Sequence, residues 1–240
     1  MRREGDNAFC FDGIRYGWGP CVIIAIDGPA GVGKSTVAKL LAARLGYLYL
    51  DTGALYRAIA WKVLQSKVPP TDHEQVTALL DSTSVHMQFH NGAMQVLVDG
   101  REVTGELRTP EVTGTASVVS AIPAVREWLL PIQRQIGQRG SVVAEGRDVG
   151  TKVFPSAPLK FFLEADATVR AERRHRELVA AGHGRAIEET YQDLSGRDMR
   201  DRNRSIAPLI PAADARPIDT SALNVDQVVE QMMAAVSAAL

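Results

Sequence analysis

Nine consecutive residues, Gly28-Pro29-Ala30-Gly31-Val32-Gly33-Lys34-Ser35-Thr36, carry the spacing Gly-x4-Gly-Lys-Ser that cradles a polyphosphate. Each residue type has its own task. Glycines let the loop curl so that successive N–H groups face phosphate oxygens, and the helix that follows adds oriented amides and the positive end of its dipole. Lys34 is placed to reach the β- and γ-phosphates, and Ser35 to help hold Mg2+. The flanks agree. Cys21-Val22-Ile23-Ile24-Ala25-Ile26 is an apolar run suited to a buried strand, and Val37, Leu40, Leu41 and Leu45 recur at helical spacing. Strand, tight loop and amphipathic helix together predict a nucleoside triphosphate site.

A second transition of the same kind follows. Tyr47-Leu48-Tyr49-Leu50 leads into Asp51-Thr52-Gly53-Ala54-Leu55-Tyr56-Arg57, and Ala58, Ile59, Trp61, Val63 and Leu64 continue a helix. In a parallel sheet such transitions meet at the carboxyl edge, where Arg57 can hold an acceptor phosphate and Thr52 can offer a hydroxyl. A helix cap and a core face would explain the same residues, and the neighbouring loop favours the ligand. Further along, Ser117 lies on a helix expected over Glu111 to Ser120, and Arg126 on a second one starting at Pro123. Ser141-Val142-Val143-Ala144 is another strand candidate, ending in Glu145-Gly146-Arg147-Asp148. Arg147 suits phosphate oxygens, Asp148 suits a base or sugar donor, and Glu145 is a second carboxylate for metal or water.

Lys160-Phe161-Phe162-Leu163-Glu164 predicts a further strand, with a helix from about Asp166. Arg170, Arg173 and Arg174 share a stripe of that helix, Gly182-His183-Gly184 breaks it, and a second charged helix carries Arg197, Asp198, Arg200, Asp201, Arg202 and Arg204. Two arginine-bearing helices with such a break predict a lid over roughly 170–204 that brings guanidinium groups to developing charge and excludes water. A solvated hairpin or an RNA-facing patch competes with this, but interspersed acids weaken the RNA reading. Between roughly 67 and 110 the pattern changes to a small β-rich insertion on the acceptor side, with turns at Asn91-Gly92 and Asp99-Gly100. His73, His86 and His90 within it form no metal cluster. Arg216 to Thr220 and the apolar stripe Val225, Val228, Val229, Met232, Met233 and Val236 supply a closing strand and helix.

The chain that carries these residues has 240 residues, 27 Lys+Arg against 28 Asp+Glu, a net charge of -1, and 45% hydrophobic residues. That excludes disorder and a charge-driven coat on nucleic acid or membrane. No apolar run approaches a membrane span, and Arg2, Arg3 and Asp6 are not followed by an export signal. Two cysteines, Cys10 and Cys21, suit a reducing, cytoplasmic setting. Residues 1–20 are expected to be a peripheral extension of one domain spanning 21–240.

Taken together, four stretches resemble bacterial cytidylate kinase, of the nucleoside monophosphate kinase family: Asp51 to Arg57, Gly105-Glu106-Leu107-Arg108-Thr109, Glu145 to Gly150, and Arg197-Asp198-Met199-Arg200-Asp201-Arg202-Asn203-Arg204. The resemblance implies an α/β phosphate-loop nucleoside monophosphate kinase fold, with a parallel sheet core, a β-rich insertion and a helical lid. It implies ATP as phosphoryl donor with Mg2+, CMP and dCMP as acceptors, a monomer, and no nucleic-acid or membrane partner. It carries the monophosphate site onto Thr52, Arg57, Ser117, Arg126, Arg147, Asp148, Arg197, Asp201 and Arg204. By that resemblance Arg57, Arg126 and Arg147 embrace the phosphate, Ser117 and Asp148 read cytosine, Asp201 contacts the sugar, and Arg173 or Arg174 with Arg197 bridges donor and acceptor. Thr52 stands where the family often has serine, and Glu145 where close relatives have aspartate. The alternatives are a kinase for another nucleoside monophosphate or small metabolite, and an NTP-dependent nucleic-acid binding switch. Lys34→Met is expected to lower kcat severely with folding retained, and near-normal turnover in a steady-state kinase assay would defeat the role given to Lys34.

Overall fold

The computed structural model describes residues 21–90 and 93–239, together with the backbone of two short antiparallel strands, β1 (Cys10–Phe11) and β2 (Ile14–Arg15). The remainder of the expected extension and the Asn91-Gly92 turn lie outside the described residues. Apolar runs without alternation form strands covered on both faces. Thus Ile24, Ala25 and Ile26 of β3 (Ile23–Asp27) are fully buried. Gly33, with φ 95°, starts α1 (Lys34–Leu45), and left-handed Gly46 stops it. The chain returns as β4 (Leu48–Asp51), and Asp51 caps α2 (Thr52–Gln65) by accepting from the Ala54 amide at 3.0 Å.

The insertion opens with a helix, α3 (His73–Leu80), before its strands β5 (Val85–His90), β6 (Ala93–Val98) and β7 (Arg101–Glu102). Asp99 and Gly100 have φ of 51° and 79° and join Val98 to Arg101, the paired positive φ of a tight hairpin turn. The inward residues Val85, Met87, Val96 and Val98 belong to the same apolar cluster as Leu55 and Ile59 of α2, so the insertion is fused to the body through its core.

Next come α4 (Pro110–Val119), α5 (Pro123–Gly137), β8 (Val142–Gly146) and β9 (Leu159–Glu164). The lid helices α6 (Ala167–Ala180) and α7 (Ile187–Asn203) follow, and β10 (Arg216–Asp219) and α8 (Val225–Ala239) close the fold. Both proline-led helices begin where proline's missing N–H costs nothing. The five-stranded sheet is parallel, in the order β10-β9-β3-β8-β4. One face is covered by α2, α5 and the insertion, the other by α1 and α8. Among the described residues no helix is long and apolar enough to cross a membrane.

β3 lies between β8 and β9, strands reached from opposite sides, so its carboxyl end faces the crevice where such sheets bind ligands. Register brings the neighbouring ends level: Asp27 stands beside Gly146, and Asp51 beside Glu145. Gly28 leaves β3 with φ 149°, and a Cβ there would sit 2.3 Å from the Leu163 carbonyl oxygen of β9. Gly28→Ala is therefore expected to cost about 3 kcal/mol. For a chain of this size that is a fall of about 6–12 °C in Tm, and an unchanged calorimetric Tm would contradict the close approach.

Candidate functional site

Along the carboxyl edge of the sheet runs a cleft of about 790 Å³, bounded by the loop after β3, the starts of α1 and α2, α4, the turn after β8 and the lid helices. Carboxylates lie along it and beneath it. Asp27 is buried and accepts from the Val149 amide at 2.8 Å and the Gly150 amide at 2.7 Å, so the end of β3 fixes the turn that presents Arg147 and Asp148. Burial raises the Asp27 carboxyl to about 6 against the pull of those two amides.

At one end of the cleft, Ala30, Gly31, Gly33, Lys34, Ser35 and Thr36 line the wall. Gly28, Pro29 and Val32, the other members of the nucleotide motif, support it from behind. The Gly28 position abuts β9, the Pro29 carbonyl accepts from Lys34 Nζ at 2.7 Å, and Val32 is buried with its carbonyl accepting from Thr220 Oγ1 at 3.2 Å. No side chain caps α1. Its first amides are therefore free of both helical and side-chain acceptors and favour an anion. Lys34 is buried, and burial followed by the Arg147 charge lowers its ammonium to about 7. Beside it the Tyr49 hydroxyl donates to Glu145 at 2.9 Å and is hydrogen-bonded to Ser35.

The middle of the cleft is crowded with cations. Arg147 donates from Nε to Asp201 at 2.9 Å, and Arg57 donates to Asp51 at 2.6 Å. Arg197 is lowered to about 10 by burial and then by the Arg147 charge, with Arg174 and Arg57 adding to the repulsion. The Nε atoms of Arg57 and Arg197 are buried without a hydrogen-bond acceptor. Buried donors without acceptors are costly, and both arginines line the cleft.

Arg126 also lines the cleft. It forms a buried ion pair with Asp148, donates to the Ser120 carbonyl at 3.1 Å and lies 5.2 Å from the Tyr56 ring centroid. Its guanidinium faces Asp148, as that of Arg147 faces Asp201 and that of Arg57 faces Asp51. Arg204 approaches the same carboxylate at 3.6 Å and reaches Asp201 at 3.5 Å. Asp201 stays below the usual carboxylate range: burial pushes it up, but the Arg147 and Arg204 charges outweigh that. Ser117 is buried at the same end, its hydroxyl accepting from Arg200 Nε at 3.0 Å. Thr52 lines the cleft, but its hydroxyl proton is donated to the Glu145 carbonyl at 2.8 Å.

The three arginines of α6 separate. Arg174 lines the cleft and pairs with Glu177 at 2.9 Å. Arg173 is held away from it, donating to the carbonyl and hydroxyl of Thr220 at 2.7 and 3.1 Å, so of the two arginines expected to bridge donor and acceptor Arg174 alone lines the cleft. Arg170 is buried and donates to the Ala30 carbonyl at 3.1 Å and to Asp198 at 2.5 Å, tying the phosphate loop to α7. Sequence reasoning missed Asp27, Asp51 and Arg108 as site builders. Arg108 donates to Asp51 at 3.1 Å from the rim of the cleft. For Asp27 and Asp51 the available signal was an acid closing an apolar strand run directly before a glycine or hydroxyl residue.

A family model described as cytidylate kinase matches residues 24–238. A cytidylate kinase from Desulfitobacterium hafniense (strain Y51) is 45% identical over 88% of this chain and 90% of its own length. One from Pelotomaculum thermopropionicum is 46% identical over 90% of this chain and 96% of its own. Among solved structures, an uncharacterized protein from Eubacterium ventriosum ATCC 27560 aligns with a TM-score of 0.50 and 15% identity over 90% of this chain and 98% of its own, a likeness of fold.

The lowered Lys34 carries a stability consequence. Its charge is unfavourable in the folded, ligand-free protein. That cost is fully present below about pH 7 and is relieved as pH rises toward the unfolded value of 10.5. Lys34→Met is therefore expected to raise the ligand-free Tm at pH 6, with the gain shrinking between pH 7 and 10. A lower Tm for the variant at pH 6 would contradict the burial cost.

Proposed function

The chain belongs to the cytidylate kinase family, whose reaction is the ATP-dependent phosphorylation of CMP and dCMP, and from that premise we propose how its residues divide the work. The observation that carries the reading is the set of buried guanidinium and ammonium groups at the junction of the phosphate loop and a second polar pocket within one cleft. The loop residues 28–36 and the start of α1 hold the ATP phosphates, with Lys34 directed to the β- and γ-oxygens. Arg57 and Arg147 hold the acceptor phosphate. Arg197 and Arg174, from the two lid helices, stabilise charge between donor and acceptor. Ser117, Arg126 and Asp148 form the base end, while Asp201 and Arg204 face the sugar. Thr52 supports this end through the β8 backbone and retains lone pairs toward the acceptor.

Mg2+ fits the donor set. Ser35 and Glu145 are hard oxygen donors joined through Tyr49. Among the described residues no group of three or more His, Cys, Asp or Glu forms a metal site, which suits an ion carried mainly by phosphates and water. When bound, the ion supplies charge neutralisation on the β- and γ-phosphate oxygens. The chain's own contribution is alignment and exclusion of water. The acceptor monophosphate is already anionic, so in-line attack needs no protein base, and charge-dense, preorganised donors supply the stabilisation. We take a monomer as the catalytic unit, with the phosphate loop and the acceptor-side residues lining one cleft. The exposed free Cys21 suits a reducing, cytoplasmic setting.

A coupled assay of ADP formation with CMP, dCMP, UMP, AMP and dTMP tests the assignment. We expect kcat/KM for CMP and dCMP to exceed that for AMP and dTMP by at least about 100-fold, well within the roughly 10^4-fold by which hydrogen-bonding sites reject the wrong group. ADP production stimulated only by RNA would support a nucleic-acid switch instead.

A further inference from the structure

We propose that Arg200, on the lid helix α7, is a positioning residue that fixes the hydrogen-bonding direction of Ser117 and thereby favours a pyrimidine whose ring nitrogen is an acceptor. This rests on the reading of Ser117 as part of the base end. Ser117 is 7% exposed and lines the cleft, whereas Arg200 does not. Arg200 instead lines a small groove of about 90 Å³ between α4 and the lid helices, and Ser117 is not part of that groove's wall. Arg200 therefore reaches Ser117 from behind, Nε to Oγ at 3.0 Å, without entering the substrate cleft.

The direction of this bond follows from chemistry. A guanidinium has five donors and no acceptor, so the Ser117 oxygen can only accept from it. A charged donor on the oxygen polarises the O–H and makes its proton a better one to give away. The cleft side of Ser117 is then biased toward donation. Cytosine presents a ring N3 with a lone pair, which takes that proton. Uracil presents N3–H, which would have to donate into an oxygen already facing a cation. The backbone of Ser117 is held in the same network: its carbonyl accepts from Ser120 Oγ at 3.2 Å, and the Ser120 carbonyl accepts from Arg126, the partner of Asp148. A lid residue thus contributes to base choice through one hydroxyl.

The test compares kcat/KM for CMP, UMP and 3-deaza-CMP, which carries C–H in place of N3, in the full-length enzyme and in Arg200→Met, Ser117→Ala and the double variant. Arg200 is exposed and each fold is checked by its Tm. We expect Arg200→Met to lose about tenfold on CMP, the value of one modest hydrogen bond. The losses on UMP and 3-deaza-CMP should be below about threefold, and Arg200→Met should add nothing once Ser117 is alanine. Equal losses on all three acceptors, or no loss on CMP, would overturn the inference and leave Arg200 as a lid contact. A Ser117→Ala variant with unchanged preference among the three would instead overturn the base-end reading of Ser117, and the inference with it.

Discussion

The constraint on which this structure turns is the burial of several positive charges within one cleft. Lys34, Arg147 and Arg197 repel one another through a medium that screens poorly, and the ammonium of Lys34 and the guanidinium of Arg197 are both driven toward neutrality. Desolvated like charges persist only where something offsets them. Here the offset is partial: Asp201 for Arg147, Asp51 for Arg57, and Asp148 shared between Arg126 and Arg204. The remainder is left to anionic substrates, so binding energy and charge neutralisation are the same event. A protein that neutralised every cation internally would be more stable and would hold phosphate less well.

The carboxylates that provide this offset are also the fasteners of the fold at its working edge. Asp27 joins the phosphate-loop strand to the turn bearing Arg147 and Asp148, and Asp51 caps α2 while receiving Arg57 and Arg108. Asp198 meets Arg170, whose guanidinium also holds the carbonyl of Ala30. The donor loop is thereby linked to the helix that carries Arg197 and Asp201. The lid helices and the phosphate loop are mechanically connected through one buried ion pair, and the sheet supplies the rigid reference because its strand ends are level.

Much of this was legible in the sequence wherever local rules suffice. Gly28 to Ser35 announces a strand, loop and helix because phosphate binding and backbone curvature demand the same residues, and Pro123 marks a helix start by its missing donor. The lid break at Gly182 was readable for the same reason: left-handed φ of 76° needs a residue without Cβ. What escaped depends on pairs distant along the chain. Arg126 and Arg147 are both arginines near strand or helix ends, and only the fold shows that one faces Asp148 and the other Asp201. Arg170, Arg173 and Arg174 share a helix, yet they meet Asp198, Thr220 and Glu177 respectively. Helical spacing predicts a stripe but not which of its members is captured by the body.

Lys34 is the most strongly perturbed cation of the cluster, and its own titration is the most direct measurement. The Lys34 ammonium can be followed by NMR with side-chain nitrogen labelling, in the ligand-free protein and with a non-hydrolysable ATP analogue. The expected midpoint is about 7 without nucleotide, rising by two or more pH units, roughly 3 kcal/mol of differential interaction, when the triphosphate is bound. An ordinary lysine midpoint near 10.4 in both states, or one that the nucleotide leaves unmoved, would contradict it.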